Sequence, residues 1–197
     1  QLGGQARNLY RTAKGENIQK KLSDLIAEIE SHEKVVVHLD TQIKDVDGFV
    51  GNFETTLSSN GKEDILEHGI AIMATGAAPL EPNEYSYGRD PRIITAQELD
   101  RKFMADDPSL KAANTAVFIQ CVGSREPERM YCSRVCCTHS VDNALTLKKL
   151  NPEMNVFVLY RDLRTYGERE YLYREAREEG VIFIRYTLDK KPVVDIK

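Results

Sequence analysis

The sequence predicts an α/β protein built from two unlike parts. After residue 113, apolar strand-like runs alternate with helix-like stretches, which is the βαβαβ pattern of a parallel, Rossmann-like sheet. Before that point, one helical stretch leads into short strands separated by turns, as in a β-meander. All four cysteines lie between the first strand and the first helix of the second part. We therefore predict two domains, residues 1–113 and 114–197.

The composition is that of an ordinary globular chain and excludes several functional classes. Of the 197 residues, 41% are hydrophobic and 29% are charged, and the net charge is −4. A slightly acidic chain has no electrostatic reason to bind nucleic acid. No apolar run approaches the ~20 residues that cross a bilayer, and the N-terminus has no signal-peptide pattern. We therefore expect a cytoplasmic protein with no membrane span, in which thiols stay reduced.

The first part is predicted to contain a helix followed by a meander. Residues 16–31 place apolar side chains at helical spacing, namely Ile18, Leu22, Leu25, Ile26 and Ile29. Strand-like segments follow at residues 35–39, 42–46, 51–58 and 65–74. Asn60-Gly61, between the last two, is a strong signal for a hairpin turn. A helix and a meander alone do not complete an α/β layer.

The last of these strands ends in the sequence Ala-Thr-Gly-Ala, where a glycine lets the backbone turn beside a ligand. A plain strand-to-loop turn is the simpler interpretation. In its context, the segment resembles the strand that closes the FAD domain of flavoproteins with two dinucleotide domains. The two glycines near the N-terminus similarly resemble the segment that follows the ADP-ribose site of those proteins, although terminal flexibility also explains them. This resemblance implies six FAD contacts: Gly3, Gly4, Ala74, Thr75, Gly76 and Ala77.

The second part alternates strands and helices. Strands are predicted at residues 115–122, 155–160 and 181–186, with helices at 139–150 and 168–179. Gly180 is expected to end the second helix. The loop after the first strand lacks the Gly-x-Gly-x-x-Gly pattern that binds a pyrophosphate and has the single glycine Gly123. We therefore expect no conventional nicotinamide-nucleotide site in this part.

The four cysteines are predicted to form a metal centre. Cys121, Cys132, Cys136 and Cys137 lie within CVGSREPERMYCSRVCC, which we call the cysteine segment (residues 121–137). Four thiolates between a strand end and a helix start can bind an iron–sulfur cluster or zinc. Zinc sites usually use two closely spaced cysteine pairs, so the single short gap here favours a [4Fe–4S] cluster. Zinc, and ordinary or redox-active thiols, stay open as alternatives.

Charged residues near this segment have two interpretations each. Arg125, Arg129 and Arg134 either offset the negative charge of a cluster or are solvated loop arginines. His139 is expected to support the start of the helix, because four cysteines already suffice as ligands. Arg161 follows the second strand, where open α/β sheets bind ligands, so a ligand or partner contact and a structural turn are both possible there.

Five stretches of the sequence resemble one protein family. They are FIQCVGSREPERMYCSRVCC, VFVLYRDLRTYGEREYLYREAREEGVIFIRY, GFVGNF, HGIAIMATGA and EYSYGRD. Together they resemble the HdrA family, which comprises the flavin and iron–sulfur subunits of heterodisulfide reductase in methanogens and related anaerobes. The resemblance implies a thioredoxin-reductase-like flavoprotein core, in which the four cysteines bind a [4Fe–4S] cluster.

The resemblance also implies a function. A member of this family is an oxidoreductase of the CoB–CoM heterodisulfide reductase type, and it links the two-electron chemistry of FAD to one-electron [4Fe–4S] clusters. The implied partners are other heterodisulfide reductase subunits and an electron-donating hydrogenase or dehydrogenase subunit, with a dimeric parent. Two other functions stay open: a thioredoxin reductase-like thiol oxidoreductase, and a zinc-stapled structural or docking module.

The chain departs from the family at its ends. The glycine-rich loop that holds FAD would lie before Gln1, so we expect an internal fragment whose parent, and not the fragment itself, retains FAD. Some members insert a ferredoxin-like module in the meander, but here Gly51-Asn52-Phe53 continues directly into Glu54. The fragment alone is expected to be inactive.

Overall fold

The computed structural model describes residues 1–196 and contains two compact units. The first unit comprises residues 1–7 and 20–78, and the second comprises residues 8–19 and those from 79 onward. Residues 8–19 and 79–113 thus group with the second unit in this structure. The predicted division into domains 1–113 and 114–197 stays a prediction. Among the described residues, no helix is long and apolar enough to cross a membrane.

The first unit is built around an antiparallel meander. Helix α1 (Ile18–Ser31) precedes strands β1 (Thr41–Phe49), β2 (Asn52–Ser59) and β3 (Lys62–His68), which pair in sequence order. Asn60 and Gly61 both have positive φ angles, of 50° and 78°, as the predicted hairpin turn requires.

Gly48, in β1, must be a glycine. Its φ is 95°, and a Cβ atom there would lie 2.1 Å from the carbonyl oxygen of Asn52. The close approach of the two backbones leaves no room for a side chain, and the conformation is one that other residues rarely adopt.

One predicted strand, 35–39, and the second half of another, 65–74, are absent from the meander. Residues 35–39 and 70–74 have no strand assignment, and the side chain of Ile72 is 88% exposed. Apolar and β-branched residues favour a strand only where a neighbouring strand can pair with them. Within residues 1–196, the sheet of the first unit contains β1, β2 and β3 alone, so neither segment has such a neighbour.

The second unit contains the predicted parallel sheet. Strands β4 (Thr115–Ile119), β5 (Asn155–Tyr160) and β6 (Ile182–Arg185) are parallel and lie in sequence order. Helix α4 (Cys136–Leu150) connects the first two strands, and α5 (Glu170–Glu178) connects the last two. The α/β fold class, with a meander and a separate Rossmann-like sheet, is therefore confirmed. Helix α4 begins three residues earlier than predicted, so it includes the adjacent cysteines.

Two helices of this unit were not predicted, although the sequence contains signals for both. Helix α2 (Ala96–Met104) begins with a capping box, in which Thr95 and Glu98 bond reciprocally to each other's backbone N–H groups. Helix α3 (Pro108–Ala112) has Asp107 as its N-cap and a proline at its first position. Both are short, so hydrophobic periodicity alone does not identify them.

The core of the second unit lies on one face of the parallel sheet. Val156 and Val158 of β5 are fully buried against Val141, Ala144 and Leu145 of α4. The alternate residues along the strands point to the opposite face, which the described residues leave open. The side chains exposed there include Val117, Ile182 and Ile184.

Candidate iron–sulfur centre

The cysteine segment lies at the carboxyl end of the parallel sheet. Cys121 comes two residues after β4, where the N–H of Gln120 still bonds to the carbonyl oxygen of Leu159. Cys136 and Cys137 are the first two residues of α4. All four cysteines are free thiols. The predicted placement between a strand end and a helix start is therefore what the structure contains.

Backbone strain is concentrated in this segment. Cys121, Arg125 and Arg134 have positive φ angles of 62°, 57° and 62°. Residues other than glycine seldom adopt this conformation, and each instance costs about 1–3 kcal/mol. Strain of this kind persists only where surrounding contacts hold it in place.

The adjacent thiols of Cys136 and Cys137 differ in acidity. The pKa of Cys136 is lowered to about 6, chiefly because its sulfur accepts a hydrogen bond from the Cys137 thiol; the Ser133 hydroxyl and backbone N–H groups of the first turn also contribute. The pKa of Cys137 is raised because its thiol donates that bond and because it is buried. The lowered pKa favours the thiolate form of Cys136, which is the form that binds metals and acts as a nucleophile.

The structure brings the cysteines together only in part. Cys121 and Cys136 both lie close enough to Cys137 to raise its pKa electrostatically. The sulfur of Cys132 accepts a hydrogen bond from the N–H of Arg134 at 3.3 Å. In the described chain, no group of three or more His, Cys, Asp or Glu residues is arranged to hold a metal ion. The four-cysteine ligand set therefore stays a prediction.

Arg161 holds the first turn of the cysteine segment. Its side chain is 8% exposed, and its Nη1 donates to the carbonyl oxygen of Arg125 at 2.9 Å. Its Nη2 donates to the carbonyl oxygens of Cys121, at 3.3 Å, and Ser124. The sequence alone leaves this residue undecided between a ligand contact and a turn. No sequence motif marks its role, since its partners are backbone atoms.

For the three arginines that the sequence leaves open between offsetting cluster charge and solvation, the structure describes one side-chain hydrogen bond to a cysteine, that of Arg125. Its Nη1 lies 3.8 Å from the sulfur of Cys121, and its Nη2 pairs with Asp162. That ion pair lowers the pKa of Asp162 and raises the pKa of Arg125. Arg129 instead lies over the ring of Tyr131.

His139 supports the start of α4, as expected. Its Nε2 lies 2.9 and 3.0 Å from the two carboxylate oxygens of Asp100, which is 1% exposed. Burial opposes protonation of His139, but the hydrogen bond and charge of Asp100 outweigh it and raise its pKa. Asp100 also accepts hydrogen bonds from the side chain of Asn143 and the N–H of Tyr10. Sequence reasoning misses Asp100, because it lies in one of the unpredicted helices.

The chain matches no protein-family model. It is, however, similar to curated proteins from methanogenic archaea over 61% of its length. The relative from Methanothermobacter marburgensis, the A subunit of H(2):CoB-CoM heterodisulfide,ferredoxin reductase, is 37% identical. That from Methanocaldococcus jannaschii, the iron-sulfur A subunit of CoB–CoM heterodisulfide reductase, is also 37% identical. The relative from Methanococcus maripaludis, the A subunit of H(2)/formate:CoB-CoM heterodisulfide,ferredoxin reductase, is 36% identical.

The chain is related to the A subunits of heterodisulfide reductases. This similarity confirms the resemblance that the sequence motifs indicated. The chain spans about a fifth, 21%, of the length of these relatives. The matched region therefore corresponds to one part of an HdrA-type protein.

The six residues predicted to contact FAD all lie in the first unit, in two separate segments. Gly3 precedes and Gly4 begins a short 3-10 helix (Gly4–Asn8), and a Cβ at Gly3 would lie 2.9 Å from Nε of Arg7. Ala74, Thr75, Gly76 and Ala77 lie in an irregular segment after β3, with Gly76 at a φ of 64° and open space beside it. Among residues 1–196, no backbone hydrogen bond joins the two segments. Their contact with FAD stays a prediction.

Proposed function

We propose that this chain is the part of an HdrA-type protein that holds a [4Fe–4S] cluster, with Cys121, Cys132, Cys136 and Cys137 as ligands. The observation that carries the proposal is the position of the cysteine segment. It occupies the turn between β4 and α4, where a Rossmann-like sheet would otherwise bind a nucleotide phosphate. The name of a relative as an iron-sulfur subunit supports the same cofactor class.

The chemistry of the donor set suits such a cluster. Thiolates are the usual ligands of [4Fe–4S] clusters. The pKa of Cys136 is lowered mainly by the hydrogen bond from the Cys137 thiol, and backbone N–H groups at the start of α4 contribute to the same shift. The N-cap residue of α4, Val135, makes no side-chain cap hydrogen bond. The positive end of the helix dipole therefore faces the cysteine pair without an intervening capping group.

The proposed role in the parent protein is electron transfer. A bound cluster would supply one-electron chemistry, whereas FAD exchanges electrons in pairs, so their combination joins the two kinds of reaction. Within this chain, the four cysteines would bind the cluster. Arg161 and Arg125 hold the turn at Cys121. Asp100 orients the first turn of α4 through its contact with His139. We propose that Gly3, Gly4 and Ala74–Ala77 contribute backbone contacts to FAD in the full-length parent.

The proposed partners follow from the names of the relatives. Those names combine H2 or formate with CoB–CoM heterodisulfide and ferredoxin. We propose that the parent acts in the cytoplasm as a dimer, receives electrons from a hydrogenase or dehydrogenase partner and passes them to disulfide-reducing subunits. The reduction of the heterodisulfide itself is assigned to those other subunits.

The cluster proposal is tested by anaerobic reconstitution of residues 1–197 with iron and sulfide. We expect about four iron and four sulfide per chain, with a visible absorption band that bleaches on reduction. Cys→Ser substitution at each of the four positions should remove or destabilise the cluster, because a hydroxyl is a poor substitute for a thiolate. Glu128→Ala, a change at an exposed residue of the same segment, is the matched control and should retain iron.

Two results would contradict the proposal. If all four Cys→Ser variants keep the iron content of the control, the ligand assignment is wrong. If the chain takes up about one zinc and no iron, the zinc-stapled module is the better interpretation.

The lowered pKa of Cys136 also suits a thiol oxidoreductase with Cys136–Cys137 or Cys132–Cys136 as its redox pair, but the geometry disfavours the first of these pairs. The Cα atoms of adjacent residues are about 3.8 Å apart, below the range of about 4.4–6.8 Å found in disulfides. A Cys136–Cys137 disulfide would therefore be strained. Counting the free thiols of the metal-free protein after mild oxidation distinguishes a cluster site from a thiol oxidoreductase. The cluster proposal predicts four free thiols, and a redox pair predicts two.

A further inference from the structure

Arg161 is a buried cation that contacts the cysteine segment and has no carboxylate partner among the described residues. Arg161 is 8% exposed and follows β5 directly. Among the residues that the structure describes, Arg161 takes part in no ion pair. Its neighbour Asp162 pairs with Arg125 instead, and Glu126 pairs with Lys191 at 2.7 Å.

Among the described residues, the hydrogen bonds of the Arg161 guanidinium all go to uncharged oxygen atoms. Its two terminal nitrogens donate to the carbonyl oxygens of Cys121, Ser124 and Arg125. Its Nε has no hydrogen-bond partner although it is buried. Within residues 1–196, the other buried side-chain atom without a partner is Oγ1 of Thr138, the residue that follows Cys137. Both unpartnered groups therefore adjoin the cysteine segment.

Carbonyl oxygens satisfy N–H groups, but they do not neutralise a charge. A buried arginine is stable only where a nearby anion compensates its charge. A [4Fe–4S] cluster held by four thiolates is anionic, and its negative charge increases on reduction. Such a cluster would supply the missing counter-charge, and Arg161 would in turn stabilise its reduced form.

Resting on the proposed function, we infer that Arg161 is a positioning residue of the iron–sulfur centre. It fixes the turn that carries Cys121, and it supplies a buried positive charge that makes the centre easier to reduce. The two roles belong to separable properties of the side chain: the planar fork that bonds three carbonyls, and the charge itself.

Arg161→Gln tests the charge, because glutamine retains hydrogen-bonding capacity but is neutral. Solvent and salt screen a buried charge poorly. We therefore expect at least a tenfold fall in the equilibrium constant for one-electron reduction, a shift of about 59 mV to more negative midpoint potential. Arg134→Gln is the matched control: it removes an exposed arginine of the same segment, so its shift should be much smaller.

Arg161→Lys tests the role of the planar guanidinium and its hydrogen bonds to three carbonyl oxygens. Lysine keeps the charge but cannot reach three carbonyl oxygens in one plane. We expect a midpoint potential close to that of the wild type, together with faster loss of iron to a chelator than in Arg134→Gln.

The measurements are made on the full-length protein, purified anaerobically with its cofactors. The signal of this centre is identified as the one that Cys121→Ser removes from the electron paramagnetic resonance spectrum. Its midpoint potential is then measured by redox titration, and iron release is followed in parallel by a chelator assay.

The outcomes separate the inference from the proposed function. If Cys121→Ser removes no signal, the proposed function is wrong, and the inference loses its basis. If that signal exists but its potential moves no further in Arg161→Gln than in Arg134→Gln, the inference alone is overturned. If Arg161→Gln does not keep the centre, Arg161→Lys decides: faster iron loss than in the control supports the inference, and equally slow loss overturns it.

Discussion

At the scale of single residues, the ionisation of Tyr186 provides a test of the structure beside the cysteine segment. Its hydroxyl donates to the carbonyl oxygen of Gln120, and burial raises its pKa to about 12. The folded state therefore keeps a proton that the unfolded chain loses near pH ~10, so folding stability should fall as the pH rises from about 10 to 12. Tyr186→Phe should weaken this pH dependence, as measured by denaturant unfolding across that range.

Absorbance titration of tyrosinate provides the direct check on Tyr186. The difference between the wild-type and Tyr186→Phe curves should contain one group that ionises near pH 12. A difference curve centred near pH ~10, the usual value for tyrosine, would contradict the prediction.

Gly123 is constrained by two separable effects, conformation and space. Its φ is 57°, and a Cβ there would lie 2.6 Å from Cδ2 of Leu80. Gly123→Ala should therefore destabilise the second unit by about 1–3 kcal/mol through backbone strain, with a steric penalty in addition. Adding Leu80→Ala to Gly123→Ala removes the steric clash but not the backbone strain. Denaturant unfolding should therefore show that Gly123→Ala costs less unfolding free energy in a Leu80→Ala background than in the wild type.

Gly167→Ala is the matched control for Gly123. Gly167 has a similar φ of 71° but open space beside it, so its substitution measures strain alone. If Gly123→Ala costs no more than Gly167→Ala, the contact with Leu80 is unimportant.

At the scale of elements, one buried carboxylate joins α2 to the start of α4. Asp100 accepts hydrogen bonds from His139, Asn143 and the N–H of Tyr10. Asp100→Ala leaves these donors without their partner, and the expected loss of unfolding free energy is about 3 kcal/mol. Urea denaturation measures this loss, with the exposed Glu168→Ala as control. Equal stability of the two variants would show that the carboxylate does not join the helices.

How far the sequence predicts each element depends on where its stabilising contacts come from. Strand β5 was predicted with its observed bounds, because its own residues contain the apolar pattern of a buried strand. The strand predicted at 35–39 is wrong, and the strand predicted at 65–74 is correct only as far as His68. A strand also needs a neighbour that the local sequence does not specify. The short helices α2 and α3 depend on caps rather than on periodicity.

The candidate site divides in the same way. The strand–helix pattern was enough to predict that the cysteine segment lies between the first strand and the first helix of the second part. It did not give the exact ends of these elements: β4 ends at Ile119, before Cys121, and α4 already begins at Cys136. The role of Arg161 could not be predicted, because its partners are carbonyl oxygens 36 to 40 residues away in the sequence. Long-range contacts to backbone atoms leave no signature in a single sequence.

At the scale of the whole molecule, each unit exposes apolar surface that a folded protein would normally cover. In the first unit, the segment around Ile72 is exposed. In the second unit, one face of the parallel sheet is open, with Val117 55% exposed. Parallel sheets are almost always covered on both faces, and large exposed apolar patches mark interaction surfaces.

We therefore expect residues 1–197 to self-associate at micromolar concentrations through the open sheet face. Sedimentation velocity should show a concentration-dependent shift to larger species. The combined substitution Val117→Thr, Ile182→Thr and Ile184→Thr keeps β-branched side chains, which suit strands, but adds hydroxyl groups that weaken apolar association. It should increase the monomer fraction. Val193→Thr, at an exposed apolar residue outside the sheet, is the control and should leave the distribution unchanged. A monomeric wild-type chain, or equal association of both variants, would show that this face is not the surface through which the chains associate.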